Sequence, residues 1–533
     1  MESLLERAPA LAVLTGAVAG AAAVSTAASF FGAAAGRGRV VLVSGEAGIG
    51  KSSLLRAFLG GLPDGVRVLR GACDDLLTAR ALGPLRDVAG QGSGPLAAAL
   101  AAGGDDVFEA AIAELSAHPP TVLVVEDVHW ADDATLDVLG YVARRADRLG
   151  AVVVVTVRDG DAPPDHPLHR WLGTLAAAPV DRVALLPLSV AAVGALAGQS
   201  GWDPLVLHGL TGGNPFFVTE VLAAAPGEVP DTVADAVLTR VRRLPAATQD
   251  ALAQLSVVPG TADFDLVDAL LAGRHDALAA AEGHGILQVH PDGVAFRHEL
   301  ARQAVEAGLP LLRRRALHRA VIAVLRASAR PDLARLVHHA SRAGDTGTVL
   351  EFAVPAGRGA ARAGSHRQAL AHFEAAARYA DRLAPPERAA LLDDYAWELH
   401  NAHRFAEALA VGERALALYG GLDNPVALGQ AGVRLARLHY LAGETDRAVA
   451  QARTAVTVLA PAGSRSATAY ATTSLGSILA LAGDPAAART LREARELADR
   501  TGRVDLVELC LNYQSLAEPD LDADGRIALL RQS

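Results

Sequence analysis

Val40-Val41-Leu42-Val43-Ser44-Gly45-Glu46-Ala47-Gly48-Ile49-Gly50-Lys51-Ser52-Ser53-Leu54-Leu55-Arg56-Ala57-Phe58 is the stretch on which the fold turns. Val40 to Val43 is a short β-branched run, which predicts a buried strand. Gly45 to Ser52 then reads G-x-x-x-x-G-K-S, and Ser53 to Phe58 reads as a helix. Strand, glycine-rich turn and helix in that order are the context in which this motif cradles phosphate. The glycines let backbone N–H groups turn inward toward phosphate oxygens, and the helix N-terminus adds partial positive charge. Lys51 supplies a mobile point charge for the β- and γ-phosphates, and Ser52 offers a hydroxyl to Mg²⁺. Lys51 is also the only lysine in a chain whose Lys and Arg total 49. The expected phosphate contacts are Gly45, Glu46, Ala47, Gly48, Ile49, Gly50, Lys51, Ser52 and Ser53.

Downstream segments extend the same architecture. Thr121-Val122-Leu123-Val124-Val125-Glu126-Asp127 predicts a buried parallel strand with two carboxylates at its carboxyl end, where open α/β sheets bind ligands. One acid can hold Mg²⁺ and the other can orient an attacking water, and the residues alone leave open which does which. His129 and Trp130 could pack locally or report nucleotide state, and local packing is the expectation. Ala151 to Arg158 reads as a third strand, and Arg158 at its end is placed to sense a γ-phosphate or to pair with Asp159 or Asp161. Arg182 to Leu186 reads as a fourth strand, ended by Pro187, which cannot donate to a ladder. Hydrophobic strands separated by helical stretches predict a parallel sheet covered on both faces.

The bulk composition sets limits. The chain has 533 residues, enough for three or four domains with large cores. Hydrophobic residues make up 51% and charged residues 20%, as in folded globular proteins. A formal net charge of -10 argues against a chain-wide electrostatic grip on nucleic acid. Cys73 and Cys510 are the only cysteines and form no metal-ligand cluster, which suits a reducing cytoplasm. Residues 8–36 carry no charge and are long enough to span a bilayer, but they are mostly Ala and Gly without interfacial Trp or Tyr. A helix outside the membrane is the expectation there. Asp520, Asp522, Asp524 and Gly525 imitate the start of a calcium loop, yet Arg531 stands where a bidentate Glu is required, so the stretch reads as a solvated turn.

Residues 195–234 read as a helical lid, with Thr211-Gly212-Gly213-Asn214-Pro215-Phe216-Phe217 as a turn into a helix. Residues 235–320 hold short helices and then a small hairpin around Pro291-Asp292-Gly293, which suggests a winged-helix-like regulatory module. From 330 to 533 helix follows helix. Ala369, Ala408, Ala448 and Ala487 open related helices at spacings of 39, 40 and 39 residues, slightly longer than the tetratricopeptide period of about 34. Such an array presents a concave binding surface.

Taken together, Leu4-Leu5-Glu6-Arg7, Gly45 to Ser52, Cys73-Asp74-Asp75-Leu76, Val125 to Asp132, Thr156-Val157-Arg158, Gly212 to Phe216 and Phe296-Arg297-His298-Glu299-Leu300 resemble the signal-transduction ATPases with numerous domains. Within that class the chain resembles the large ATP-binding regulators of the LuxR type over roughly residues 1–320. The resemblance implies an AAA/STAND-like P-loop domain at 37–194 behind an N-terminal helical segment at 1–36, then the lid, the winged helix and a tetratricopeptide-like solenoid. It also implies that Arg158 is the phosphate sensor, that Pro187 lies near the adenine, and that His298 touches the phosphates of an ADP-bound resting form.

The expected function is an ATP-binding, ATP-hydrolysing signalling switch using ATP/ADP and Mg²⁺. Lys51, Glu126, Asp127 and Arg158 are its catalytic candidates, with Ser52, Glu126 and Asp127 toward the metal. An unknown protein or small-molecule effector would bind the repeats, and nucleotide could drive self-association. Alternatives are a repeat-based scaffold with a non-hydrolysing nucleotide site, or a DNA-binding transcriptional regulator. No basic helix-turn-helix is found after the array, so direct DNA binding by this chain is not expected, nor is stable membrane insertion.

Overall fold

The computed structural model describes residues 4–31, 38–103, 106–160, 166–175, 178–198, 200–223, 233–291, 293–518, 525–527 and 531. The chain divides into two compact units, one of residues 1–352 with 359–368, the other of residues 353–358 with 369–533.

The first unit is built on five parallel strands: β1 (Arg39–Gly45), β2 (Arg67–Ala72), β3 (Thr121–Glu126), β4 (Ala151–Arg158) and β5 (Val180–Ala184), in the order β2-β3-β4-β1-β5. β1 therefore has β4 on one side and β5 on the other, and β3 lies between β2 and β4. Every residue of β4 from Ala151 to Val157 is buried, which is why that strand reads as an unbroken apolar run. Nothing in the residue pattern announces β2. Its burial alternates imperfectly and two arginines interrupt it, as suits an edge strand. The expected strand at 182–186 is shifted: β5 runs Val180–Ala184, and after a last bond from Leu185 N to Ser44 O at 2.8 Å the chain runs on to Pro187.

The uncharged N-terminal stretch forms a helix, Ala8–Phe31. Ala10, Leu14, Ala17, Val18 and Ala21 are buried in one core with Val41, Val43, Leu54, Phe58, Val122, Val124, Val152 and Val154. The helix thus covers one face of the sheet, and its small side chains let the backbone approach the strands closely. No described helix is long and apolar enough to cross a membrane. The other face is covered by the core around Leu85, Leu115, Leu136, Leu139 and Trp171.

The expected lid boundary at 194/195 falls inside the helix Val190–Ala197, which starts earlier because Ser189 Oγ caps it at Ala192 N. Three antiparallel strands follow later in the unit: β6 (Thr261–Asp263), β7 (Leu287–His290) and β8 (Gly293–Phe296), ordered β6-β8-β7. The expected end at 320 also falls inside a helix, Leu311–Ala327, whose buried Val321, Ile322 and Leu325 carry the core past that point.

The second unit is all helix among its described residues. It includes most of the helix His366–Ala377, then the paired helices Pro385–Asn401 and Phe405–Gly420, Pro425–Leu441 and Thr445–Leu459, Arg465–Leu481 and Ala487–Thr501, and then Val504–Ala517. The four periodic alanines are buried: Ala369 and Ala448 at 0%, Ala408 at 1%, Ala487 at 2% exposure. Each sits where a larger side chain would hold two helices apart. The calcium-loop imitation at Asp520, Asp522 and Asp524 lies outside the described residues.

Candidate nucleotide-binding site

The phosphate loop runs from the end of β1 into the helix Lys51–Gly60. Gly48 and Gly50 take φ of +79° and +102°, a left-handed region that suits glycine. Alternating backbone hand in such a turn aims successive N–H groups at one point, the geometry of an anion nest. The loop's carbonyls are tied elsewhere. Asn214 Nδ2 donates to Ala47 O at 2.9 Å, Phe216 N to Gly48 O at 3.3 Å, and Arg7 Nη2 to Ile49 O at 3.1 Å. Lys51 Nζ donates to Gly45 O at 2.6 Å and Glu46 O at 2.9 Å, so the ammonium is folded against its own loop.

Two of these anchors come from segments to which the sequence assigned no task. Arg7 is 5% exposed and also donates to Leu186 O at 2.9 Å. Its neighbour Glu6 accepts from Ser189 N at 3.0 Å and Ser189 Oγ at 2.5 Å. Pro187 is exposed and lies between these two fixed points, at the edge of the loop. Asn214 belongs to the Gly-Gly-Asn-Pro turn, and a polar side chain at a sharp turn was the only advance signal for it.

At the end of β3 the two acids diverge. Ser52 Oγ donates to Glu126 Oε2 at 3.2 Å, and Arg70 Nη2 of β2 pairs with Glu126 Oε1 at 3.1 Å. Asp127 lies past the strand in a left-handed conformation, φ 56°, with its N–H donating to Thr156 Oγ1 at 2.8 Å. Its Oδ1 is 3.8 Å from Arg158 Nε. Burial pushes the Asp127 carboxyl up to about 6, Glu126 adds to the rise, and Arg158 and Lys51 oppose it. Arg158 pairs with Asp127, and its guanidinium also stands 4.5 Å from the centre of the Trp130 ring. His129 is buried beside Trp130, so the packing reading holds. Burial, with Arg158 and Lys51 nearby, pushes its imidazole down to about 3, so it is neutral.

His298 bears on the loop through Phe216. It stacks on Phe216 with ring centres 4.4 Å apart, and Phe216 in turn holds Gly48. Burial, then Arg297, Arg56 and Arg240, push its imidazole down to about 4. Arg70 is the residue that sequence reading missed, because its strand carried no legible pattern.

Ser52 Oγ and the Glu126 carboxylate converge beside the phosphate loop. These are hard oxygen donors of the kind Mg²⁺ prefers, and the residues present fit that ion. Among the described residues no cluster of three or more His, Cys, Asp or Glu forms an all-protein metal site. That is compatible with a cation held largely by nucleotide phosphates.

Residues 22–155 match the family model of the AAA ATPase domain, which covers β1 to most of β4. An uncharacterized protein of Rhizobium meliloti (strain 1021) is 28% identical over 430 residues, covering 64% of this chain and 40% of its own length, so the chain spans less than half of that relative. Among solved structures, a Signal Transduction ATPase with Numerous Domains (STAND) protein with a tetratricopeptide repeat sensor from Pyrococcus horikoshii is similar over 100% of this chain and 89% of its own, with 14% identity and TM-score 0.44. The Aeropyrum pernix Orc1 protein in complex with DNA is similar over 58% of this chain and 94% of its own, with 14% identity and TM-score 0.28. The chain therefore carries an AAA ATPase-type domain on a parallel sheet, followed by a mostly helical region.

Proposed function

We propose that this chain is an ATP-binding, slowly ATP-hydrolysing signalling switch, and the meeting of Ser52 with Glu126 at the mouth of the phosphate loop carries that reading. On binding, the backbone N–H groups of the loop and the Lys51 ammonium take the phosphates, with Lys51 leaving its own carbonyls for them. Ser52 and Glu126 would hold Mg²⁺, which supplies charge neutralisation for the phosphates. Asp127 then orients water: its oxygen attacks the γ-phosphorus, the bond to the β–γ bridging oxygen breaks, and the water proton passes to the carboxylate. Arg158 swings from Asp127 and Trp130 to the γ-phosphate and so registers whether it is there. Pro187 lies toward the adenine, and His298 meets the phosphates of the ADP form.

The three-stranded sheet and its helices are read as a winged-helix-like regulatory module, and the second unit as a tetratricopeptide-like sensor for a protein or small-molecule effector. The combination fits the LuxR-type regulators that the motifs resemble. Mass and small-angle scattering measurements on the full chain with ATP and with ADP, beside Lys51→Ala, test the reading. Bound nucleotide, slow turnover and two distinguishable scattering profiles are expected, with binding weakened and the other two lost in the variant. Identical profiles in both nucleotides would end the switch hypothesis, and binding without turnover would leave a non-hydrolysing site.

A further inference from the structure

The acid-bearing loop after β3 is closed by residues more than two hundred positions downstream. Asp132 is 1% exposed and caps the helix Asp133–Ala143, accepting from Thr135 N at 3.3 Å and from the Thr135 hydroxyl. A further donor to the same carboxylate is Ser365 Oγ, 2.5 Å from Asp132 Oδ2, and Ser365 is fully buried. Two residues on, the Arg367 guanidinium lies 3.6 Å from Asp133 Oδ1 and 3.3 Å from His166 Nε2. Burial raises the Asp133 carboxyl, and Arg367 is the first group opposing that rise. Ala363 packs against the core on the same face of the sheet. Residues 363–367 thus form a corner that seats the buried Ser365 on Asp132 and the half-exposed Arg367 on Asp133, within the first unit.

What that corner holds is the catalytic turn. Between Asp127 and Asp132 the chain makes a single 3-10 turn, Val128–Trp130, with Trp130 N donating to Asp127 O at 3.0 Å and Ala131 N to Val128 O at 3.0 Å. Trp130 is the ring on which Arg158 rests. A displacement of Asp132 therefore reaches Asp127 and Arg158 through a few rigid residues. A buried carboxylate that loses one of its donors is left under-satisfied, so the seat is worth keeping. In chain order the corner is followed at Ala369 by the main run of the second unit.

We propose that Ser365 and Arg367 are positioning residues for the ATPase reaction, acting through Asp132 and Asp133 on the turn that carries Asp127 and Trp130. The catalytic rate then depends on whether the corner is seated, while nucleotide affinity, set at the phosphate loop, does not. This rests on the ATPase reading above.

The test uses the full chain with Ser365→Ala and, as a variant at a partly exposed residue, Arg367→Gln. Without nucleotide, amide hydrogen exchange at Trp130, Ala131 and Thr135 is expected to rise about tenfold, the equivalent of one lost hydrogen bond to a charged group, while the helix Lys51–Gly60 is unchanged. With ATP, kcat per titrated binding site is expected to fall about tenfold with KM moved less than twofold. Unchanged exchange at those amides overturns the proposal, as does a parallel loss of kcat, affinity and thermal stability. If the unaltered chain binds ATP without turning it over, the ATPase reading fails by itself, and altered exchange in the variants still decides whether the corner positions the turn.

Discussion

The phosphate loop and the acid loop follow β1 and β3, two strands of one sheet with β4 between them, yet they are built in different ways. The phosphate loop, Gly45 to Ser52, gets its shape from its own glycines, and distant residues only tie down its carbonyls. The acid loop, Glu126 to Asp132, has no glycine, and Asp127 takes a left-handed conformation that a non-glycine residue holds at a cost. From three separate places in the chain, Thr156 and Arg158 of β4 hold Asp127, Ser52 holds Glu126 and Ser365 holds Asp132. Local chemistry shapes the phosphate loop, and long-range contacts hold the acid loop in place.

The sharpest way to break this contrast is Asp127→Asn. Hydrolysis is expected to fall about a hundredfold or more, the range for a positioned general base, with nucleotide affinity nearly kept. Equal losses in both, measured by turnover and by calorimetric titration, would show that the two loops do not divide the work. On the proposed mechanism, turnover by the unaltered chain should also fall as pH falls through about 6, where Asp127 takes up a proton. Its stability has the opposite dependence. Asp127 titrates near about 6 when folded against 3.8 for the free group, so its ionisation destabilises the fold as pH rises through that window. Asp127→Asn should therefore melt higher than the unaltered chain at pH 7.5, with the gain disappearing below about pH 4.

Next in size is Lys51→Ala, which should weaken ATP binding roughly 10- to 100-fold, the worth of one hydrogen bond to a charged group. Retained affinity in a fluorescent-nucleotide titration would mean that the loop binds by backbone alone. Gly48→Ala tests whether the loop is locally built. The new Cβ would lie 2.8 Å from Phe216 Cβ in a backbone with φ +79°, so a loss of about 1–2 kcal/mol in denaturant unfolding and weaker binding are expected. The smallest effect is expected for Thr156→Val, which leaves the Asp127 N–H without its acceptor at a cost of about 1 kcal/mol. It should slow turnover severalfold and leave ATP affinity alone, as read by steady-state kinetics.

Much of the site was legible. The order of strand, glycine turn and helix placed Lys51 and Ser52, and the apolar run into Glu126 and Asp127 placed both acids, because buried parallel strands advertise themselves as β-branched runs. The small alanines at 369, 408, 448 and 487 announced the helix pairs for an equally direct reason: close helix approach requires small side chains at a fixed interval. Arg70 was not legible, since an edge strand needs no continuous apolar pattern. Arg7 and Asn214 were visible as parts of motifs but not as anchors of loop carbonyls, because nothing in a local sequence says which distant backbone group a side chain will meet.

The sequence by itself determined the phosphate loop, the buried strands β1, β3 and β4 around it and the repeat of the helical array, all of which follow from glycine conformational freedom and the periodicity of burial over short spans. Only the tertiary structure decided how the two acids part, with Glu126 toward Ser52 and Arg70 and Asp127 toward Arg158, and only it brought Ser365 to Asp132. The physical reason is that hydrogen bonds and ion pairs are set by three-dimensional proximity within a few ångströms, whereas sequence patterns record only which residues must be buried, bent or small.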